Sequence, residues 1–272
     1  MENSVDTATV QTRVDERGVA QVLINRPDKH NAFDDSMIGE LRQTFRRLAD
    51  EASVRVVVLS SNGRHFSAGG DLAWMQRMAD YDREHNLRDA EDLAGMLLDL
   101  KQLSQPTIAQ VQGAAFGGAV GLVSCCDIAI ASSNARFALS EVRIGLIPAT
   151  IGPYVVAAIG ERAARRFFMT GETFDAGAAL QHGLVSEVVA QDDLDSVVSE
   201  LCDTLLDNGP QAVRAAKDLV TGICGAPAGD ELIRETCRRI ADLRASDEGQ
   251  EGLKAFLEKR PPSWRSRGAD DT

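Results

Sequence analysis

Gln112-Gly113-Ala114-Ala115-Phe116-Gly117-Gly118-Ala119-Val120-Gly121 follows the strand-like run Thr107-Ile108-Ala109-Gln110-Val111 and opens an apolar stretch that reaches Cys126. The change from β-branched to small residues predicts a strand, a glycine turn and the start of a helix. A helix start leaves backbone N–H groups without partners, and the aligned peptide dipoles make that end positive. Such a turn can hold an oxygen that gains negative charge, with no reactive side chain involved. A second turn, Phe66-Ser67-Ala68-Gly69-Gly70-Asp71-Leu72, follows the strand-like Val54-Arg55-Val56-Val57-Val58-Leu59. Two such turns, if the fold joins them, place two amides on one carbonyl oxygen.

Working outward, Val19–Asn25 reads as an opening strand and Arg26–Asn31 as the turn after it. Met37, Ile38, Leu41, Phe45 and Leu48 mark one face of a helix over Asp34–Asp50. Strand, helix and strand in that order predict a parallel crossover. Residues 72–103 are expected to be helical, with Leu93, Met96, Leu97, Leu100 and Leu103 as a core stripe. The Asp71–Asp89 part, with Trp74, Met75 and Met78, reads either as a flap over a ligand or as an irregular surface helix. Asp127–Ala131 and Ala135–Ala138 are further strand candidates. Helices are expected over Glu161–Met169, Asp175–Gln181, Leu194–Leu206, Gln211–Ile223, Asp230–Leu243 and from Ser246 to Lys259.

The 272 residues suffice for a full core, and 44% hydrophobic with 26% charged residues excludes a disordered tail. No apolar stretch approaches the roughly 20 residues a bilayer span requires, so no membrane partner is expected. A formal charge of -12 argues against nucleic acid. Met1-Glu2-Asn3-Ser4-Val5-Asp6 has no leader character, which makes the cytoplasm the expected location. Five cysteines lack disulfide or metal spacing, four histidines form no cluster, and no metal is expected. The opening strand is not followed by a Gly-x-Gly-x-x-Gly dinucleotide turn, and Ser67 and Ser140 lack a Gly-x-Ser-x-Gly context.

The elements Phe66–Leu72, Gln112–Gly118, Cys126–Ala129 and Ala135–Pro148, in that order, resemble the crotonase, or enoyl-CoA hydratase/isomerase, superfamily from about Val10 to Pro262. The resemblance implies an α/β crotonase fold, a spiral of ββα units over residues 1–200 followed by a C-terminal helical trimerisation region, 201–272. It implies a homotrimer or a dimer of trimers acting on an acyl-CoA thioester, with coenzyme A as part of the substrate and no cofactor. It places the oxyanion donors on the N–H groups of Gly70 and Gly118 and the acid/base role on Glu141. Arg26, Lys29, His30, Ala68, Asp71 and Leu72 fall where relatives receive CoA, and Phe256 and Lys259 where a final helix reaches the CoA of a neighbouring subunit.

One position departs from the pattern. Crotonases with paired glutamates carry the second one three residues after the oxyanion glycine, where this chain has Gly121. Leu139–Ile151 resembles methylglutaconyl-CoA hydratase-like proteins, which makes that thioester a candidate substrate. Reversible hydration of a 2-enoyl-CoA is the first expectation. A single-glutamate double-bond isomerase is the second, and a noncatalytic CoA-binding protein the third.

Overall fold

The computed structural model describes residues 8–265; the leader reading on Met1–Asp6 lies outside the described residues. Chain order runs β1 (Val10–Val14), β2 (Val19–Ile24), α1 (Asp35–Asp50), β3 (Val56–Ser61), α2 (Leu72–Ala79), α3 (Arg83–Lys101), β4 (Thr107–Val111), β5 (Ala114–Phe116), α4 (Gly118–Cys125), β6 (Ile128–Ser132) and β7 (Arg136–Ala138). Then come α5 (Gly152–Thr170), β8 (Thr173–Asp175), α6 (Ala176–Gln181), β9 (Glu187–Val189), α7 (Leu194–Leu206), α8 (Pro210–Ile223), α9 (Asp230–Ala245) and α10 (Asp247–Glu258).

The larger sheet has the order β1-β2-β3-β4-β6-β9, parallel except for the β1–β2 hairpin at its edge. A smaller sheet, β5-β7-β8, lies beside it. The passes β4-β5-α4 and β6-β7-α5 each give one strand to each sheet before a helix, as the expected spiral requires. Strand β3 is buried along its whole length because both of its faces are covered. Val57 and Leu59 enter the main core with α1, α3 and α4, while Val56 and Val58 pack with Leu194, Val198, Cys202 and Leu206 of α7. The period of two in side-chain direction thereby divides one apolar run between two cores.

Helix α1 buries the five residues read as its apolar face, and Asp34 caps it by accepting from the Met37 N–H at 2.9 Å. The helix expected over 72–103 is two helices, because Asp82 accepts from the His85 N–H and starts α3 afresh. Helix α5 starts at Gly152, earlier than expected, and breaks at Gly160, where φ is 75°. The boundary expected between residues 200 and 201 falls inside α7, whose buried face belongs to the sheet; the change in character comes after Leu206.

Helices α8 and α9 contain no buried residue, and α10 buries only Ala255. Polar bonds dock α8. Lys217 Nζ meets Asp127 at 2.7 Å and donates to Gln105 O at 2.9 Å, and Arg214 donates to Val54 O at 2.9 Å. Val220, Ile223, Ile233, Ile240, Leu253, Phe256 and Leu257 are left exposed.

Candidate active site

Main-chain pairing sets the two glycine turns side by side. Phe66 N–H donates to Gln112 O at 2.8 Å, Ser67 N–H to Ala114 O at 2.9 Å and Phe116 N–H to Ser67 O at 3.0 Å. The resulting Ser67–Ala115 bridge is parallel. Gly70 and Gly118 each lie three residues beyond a bridge partner, so both chains leave the bridge in the same direction. Gly70 is exposed and Gly118 partly so. Neither N–H donates to an acceptor among the described residues.

Phe33, which the sequence did not single out, holds both turns. Its N–H donates to Gly69 O and its O accepts from the Asp71 N–H, each at 2.7 Å, while its ring lies 3.6 Å from where a Gly118 Cβ would stand. The C=O and the following N–H of a trans peptide point in opposite directions, so anchoring Gly69 O turns the Gly70 N–H away from Phe33. Val120 N–H donates to Gly117 O at 2.9 Å and in the same way aims the Gly118 N–H out of the helix start. Gly117 N–H donates to Ala138 O at 2.9 Å, fixing the turn to the end of β7.

Glu141 follows β7 in a short 3-10 turn, Glu141–Ile144. A Cβ on Gly117 would lie 3.3 Å from Glu141 Oε1, and Gly117 has a φ of 54°, so glycine both permits the turn and leaves room for the carboxyl. Glu141 Oε2 is buried without a hydrogen-bond partner. Burial raises its pKa, and a contact with its own backbone N–H offsets this only in part. The carboxyl therefore holds a proton more readily than an exposed glutamate, as a group that both takes and returns one must.

Gly121 sits one helical turn along α4, and its missing side chain is replaced by a neighbour. A Cβ there would meet Ile151 Cγ2 at 2.3 Å, Ile151 Cβ at 2.9 Å and Leu97 Cδ2 at 3.3 Å. Ile151 thus fills the ground a second carboxylate would need. Met75 and Trp74 crowd Gly70 at 3.4 and 3.7 Å from its Cβ position. Trp74 is buried and donates through Nε1 to Asp89 at 3.0 Å, tying α2 to α3.

The other expected site residues divide into two groups. Arg26, Lys29, His30, Ala68, Asp71 and Leu72 gather around the Gly70 turn: Ala68 N–H donates to His30 O at 3.0 Å, and the buried Asp71 pairs with Arg26 at 3.2 Å and Lys29 at 3.8 Å. Lys29 and Leu72 remain exposed, whereas Arg26 is engaged by Asp34 as well. Phe256 stands exposed on the last helix and Lys259 just after its end, and no hydrogen bond or ion pair among the described residues links them to that turn. Among the described residues no three His, Cys, Asp or Glu side chains converge as metal ligands.

The two-sheet spiral is the crotonase fold: a putative enoyl-CoA hydratase/isomerase (crotonase) from Legionella pneumophila superposes with a TM-score of 0.91 at 47% identity, over 94% of this chain and 98% of that one. An enoyl-CoA hydratase from Shewanella pealeana superposes with a TM-score of 0.91 at 45% identity, over 95% of this chain and 97% of that one. The sequence profile of the enoyl-CoA hydratase/isomerase family matches residues 15–267, and the chain belongs to that family. A 2,3-dehydroadipyl-CoA hydratase of Escherichia coli is 30% identical over 92% of this chain and 96% of its own length. A trans-2-decenoyl-[acyl-carrier-protein] isomerase of Streptococcus mutans is also 30% identical, over 93% and 96%.

Proposed function

We propose that this protein reversibly hydrates a 2-enoyl-CoA. The thioester oxygen accepts from the Gly70 and Gly118 N–H groups. Glu141 takes a proton from water as the water oxygen bonds to the β-carbon; the electrons of the double bond move onto the carbonyl, and the two amides stabilise the enolate. Glu141 then gives that proton to the α-carbon, so one water is added and the carboxylate is regenerated. The observation that carries this reading is the unpartnered Glu141 Oε2 on a carboxyl that lies against Gly117, next to Gly118, whose N–H is also unpartnered. Lys29 and His30 face solvent where CoA phosphates would lie, and the exposed apolar residues of α8–α10 support assembly as a trimer.

Ile151 in the Gly121 space supports a second reading, double-bond isomerisation, in which Glu141 moves one proton along the allylic system without water. The side chains crowding Gly70, Gly118 and Gly121 are apolar and favour an uncharged acyl chain near the reacting carbons. The likeness of Leu139–Ile151 instead favours methylglutaconyl-CoA. Incubation of the purified protein with straight, branched and dicarboxylic enoyl-CoAs, read by product mass, separates these. A gain of one water is hydration, and a new isomer at unchanged mass is isomerisation. Binding of every thioester with turnover of none leaves a noncatalytic CoA-binding protein and refutes the proposal.

A further inference from the structure

We infer that Arg26 and Asp71 are positioning residues for the Gly70 oxyanion donor, an inference that rests on the proposed role of that amide. The Gly70 N–H owes its direction to the bond between Phe33 N–H and Gly69 O, so any looseness between the Phe33 segment and the Gly70 segment rotates the donor. Arg26 braces those two segments. Its guanidinium donates through Nη1 to Ala32 O at 2.9 Å and meets Asp34 Oδ2 at 2.7 Å, one residue to either side of Phe33. Nη2 reaches Asp71 Oδ2 at 3.2 Å, the residue after Gly70.

The fork itself stands on a fixed base. Arg26 N–H donates to Asn31 Oδ1 and Asn31 N–H to Arg26 O, each at 2.8 Å, and Asn31 is fully buried. The other oxygen of Asp71 accepts from the Ala73 N–H at 2.8 Å and the Trp74 N–H at 3.3 Å and so caps α2. Burial alone would raise the Asp71 pKa, but those N–H groups and the charges of Lys29 and Arg26 outweigh it and hold the carboxyl below its usual range. Asp71 therefore stays ionised at neutral pH and keeps the brace. A lysine presents a single point charge and cannot span three acceptors as the planar guanidinium does.

The test compares Arg26→Lys and Asp71→Asn with the wild type in three measurements: affinity for free CoA, kcat on an enoyl-CoA, and the infrared carbonyl stretch of a bound saturated acyl-CoA labelled with 13C at the thioester carbon. A positioning role predicts that both variants lose most of the red shift and roughly tenfold in kcat, about 1.4 kcal/mol, while affinity for free CoA holds. Asparagine caps a helix as well as aspartate, so Asp71→Asn removes the charge pair and leaves α2 started; it carries the test if Arg26→Lys does not fold. A wild-type-like red shift and kcat in both variants overturns the inference, as does weakened CoA affinity with an intact shift, which would make Arg26 a phosphate ligand. A wild-type protein that binds acyl-CoA with no red shift at all refutes the oxyanion reading itself, a distinguishable result.

Discussion

Replacing Gly121 by alanine tests how closely α4 is fitted to its surroundings. The new methyl would stand 2.3 Å from Ile151 Cγ2 and 2.9 Å from Ile151 Cβ. Rotating the isoleucine relieves the first contact and leaves the second, so backbone must move. Overpacking of this kind costs about 1–3 kcal/mol, against which a helical Gly→Ala change returns about 0.5–1 kcal/mol. The net loss expected is about 0–2.5 kcal/mol by the same reckoning. Ile151→Ala alone removes a fully packed side chain at a cost of about 2–5 kcal/mol. In the double variant the added methyl enters the space the isoleucine leaves, so the two losses should fall short of their sum by about 1–3 kcal/mol. Urea unfolding of the four proteins at one concentration reads the cycle. Because α4 begins at Gly118, its displacement should also lower kcat in Gly121→Ala and recover in part in the double variant. Additivity within about 0.5 kcal/mol would refute direct packing between the two positions.

Glu141→Gln should lower turnover by roughly a hundred- to ten-thousand-fold while acyl-CoA still binds, as steady-state and binding assays would show. The same change should stabilise the protein increasingly as pH rises above 4.5, the ordinary glutamate value, through the raised value in the folded protein: there the unfolded chain ionises freely and the folded one must ionise a buried group. Urea midpoints measured across that range read the slope. Lys217→Met should cost about 2 kcal/mol, since it cuts both the 2.7 Å pair with Asp127 and the bond to Gln105 O, and hydrogen exchange over 210–223 should accelerate. Phe256→Glu with Leu257→Glu places charge on the exposed apolar end of α10; sedimentation should show a lower mass than the wild type, and an unchanged mass would remove that face from assembly.

Periodicity made much of the fold legible. The apolar stripes over 34–50 and 194–206 mark helices that the structure keeps almost to the residue, because each stripe is also the face it buries. Four strands, β1, β5, β8 and β9, carry no such mark; β5, read as part of a glycine turn, β8 and β9 have three residues each and exist only through pairing with distant partners. The glycine turns announced themselves by composition, whereas Phe33 did not. Its hold on the Gly70 turn is through its N–H and C=O, which any residue owns, and only the pairing with residues 69–71 reveals it. The ion pairs of Arg26 were not visible either, since a cation on a loop shows no partner in sequence; Asp34 and Asp71 become its partners only in the fold. The blocked space at Gly121 was likewise hidden, because Ile151 lies thirty residues away in the chain.

The most direct test of the account is entry of a solvent deuteron at the α-carbon of a thioester held by this protein. In D2O, the wild type incubated with the enoyl-CoA it turns over should give product carrying deuterium at that carbon, and Glu141→Gln should give it roughly a hundred- to ten-thousand-fold more slowly at the same protein concentration. Deuterium entering equally with the variant, or turnover that proceeds without it, would contradict a mechanism in which two glycine amides hold an enolate and Glu141 delivers its proton.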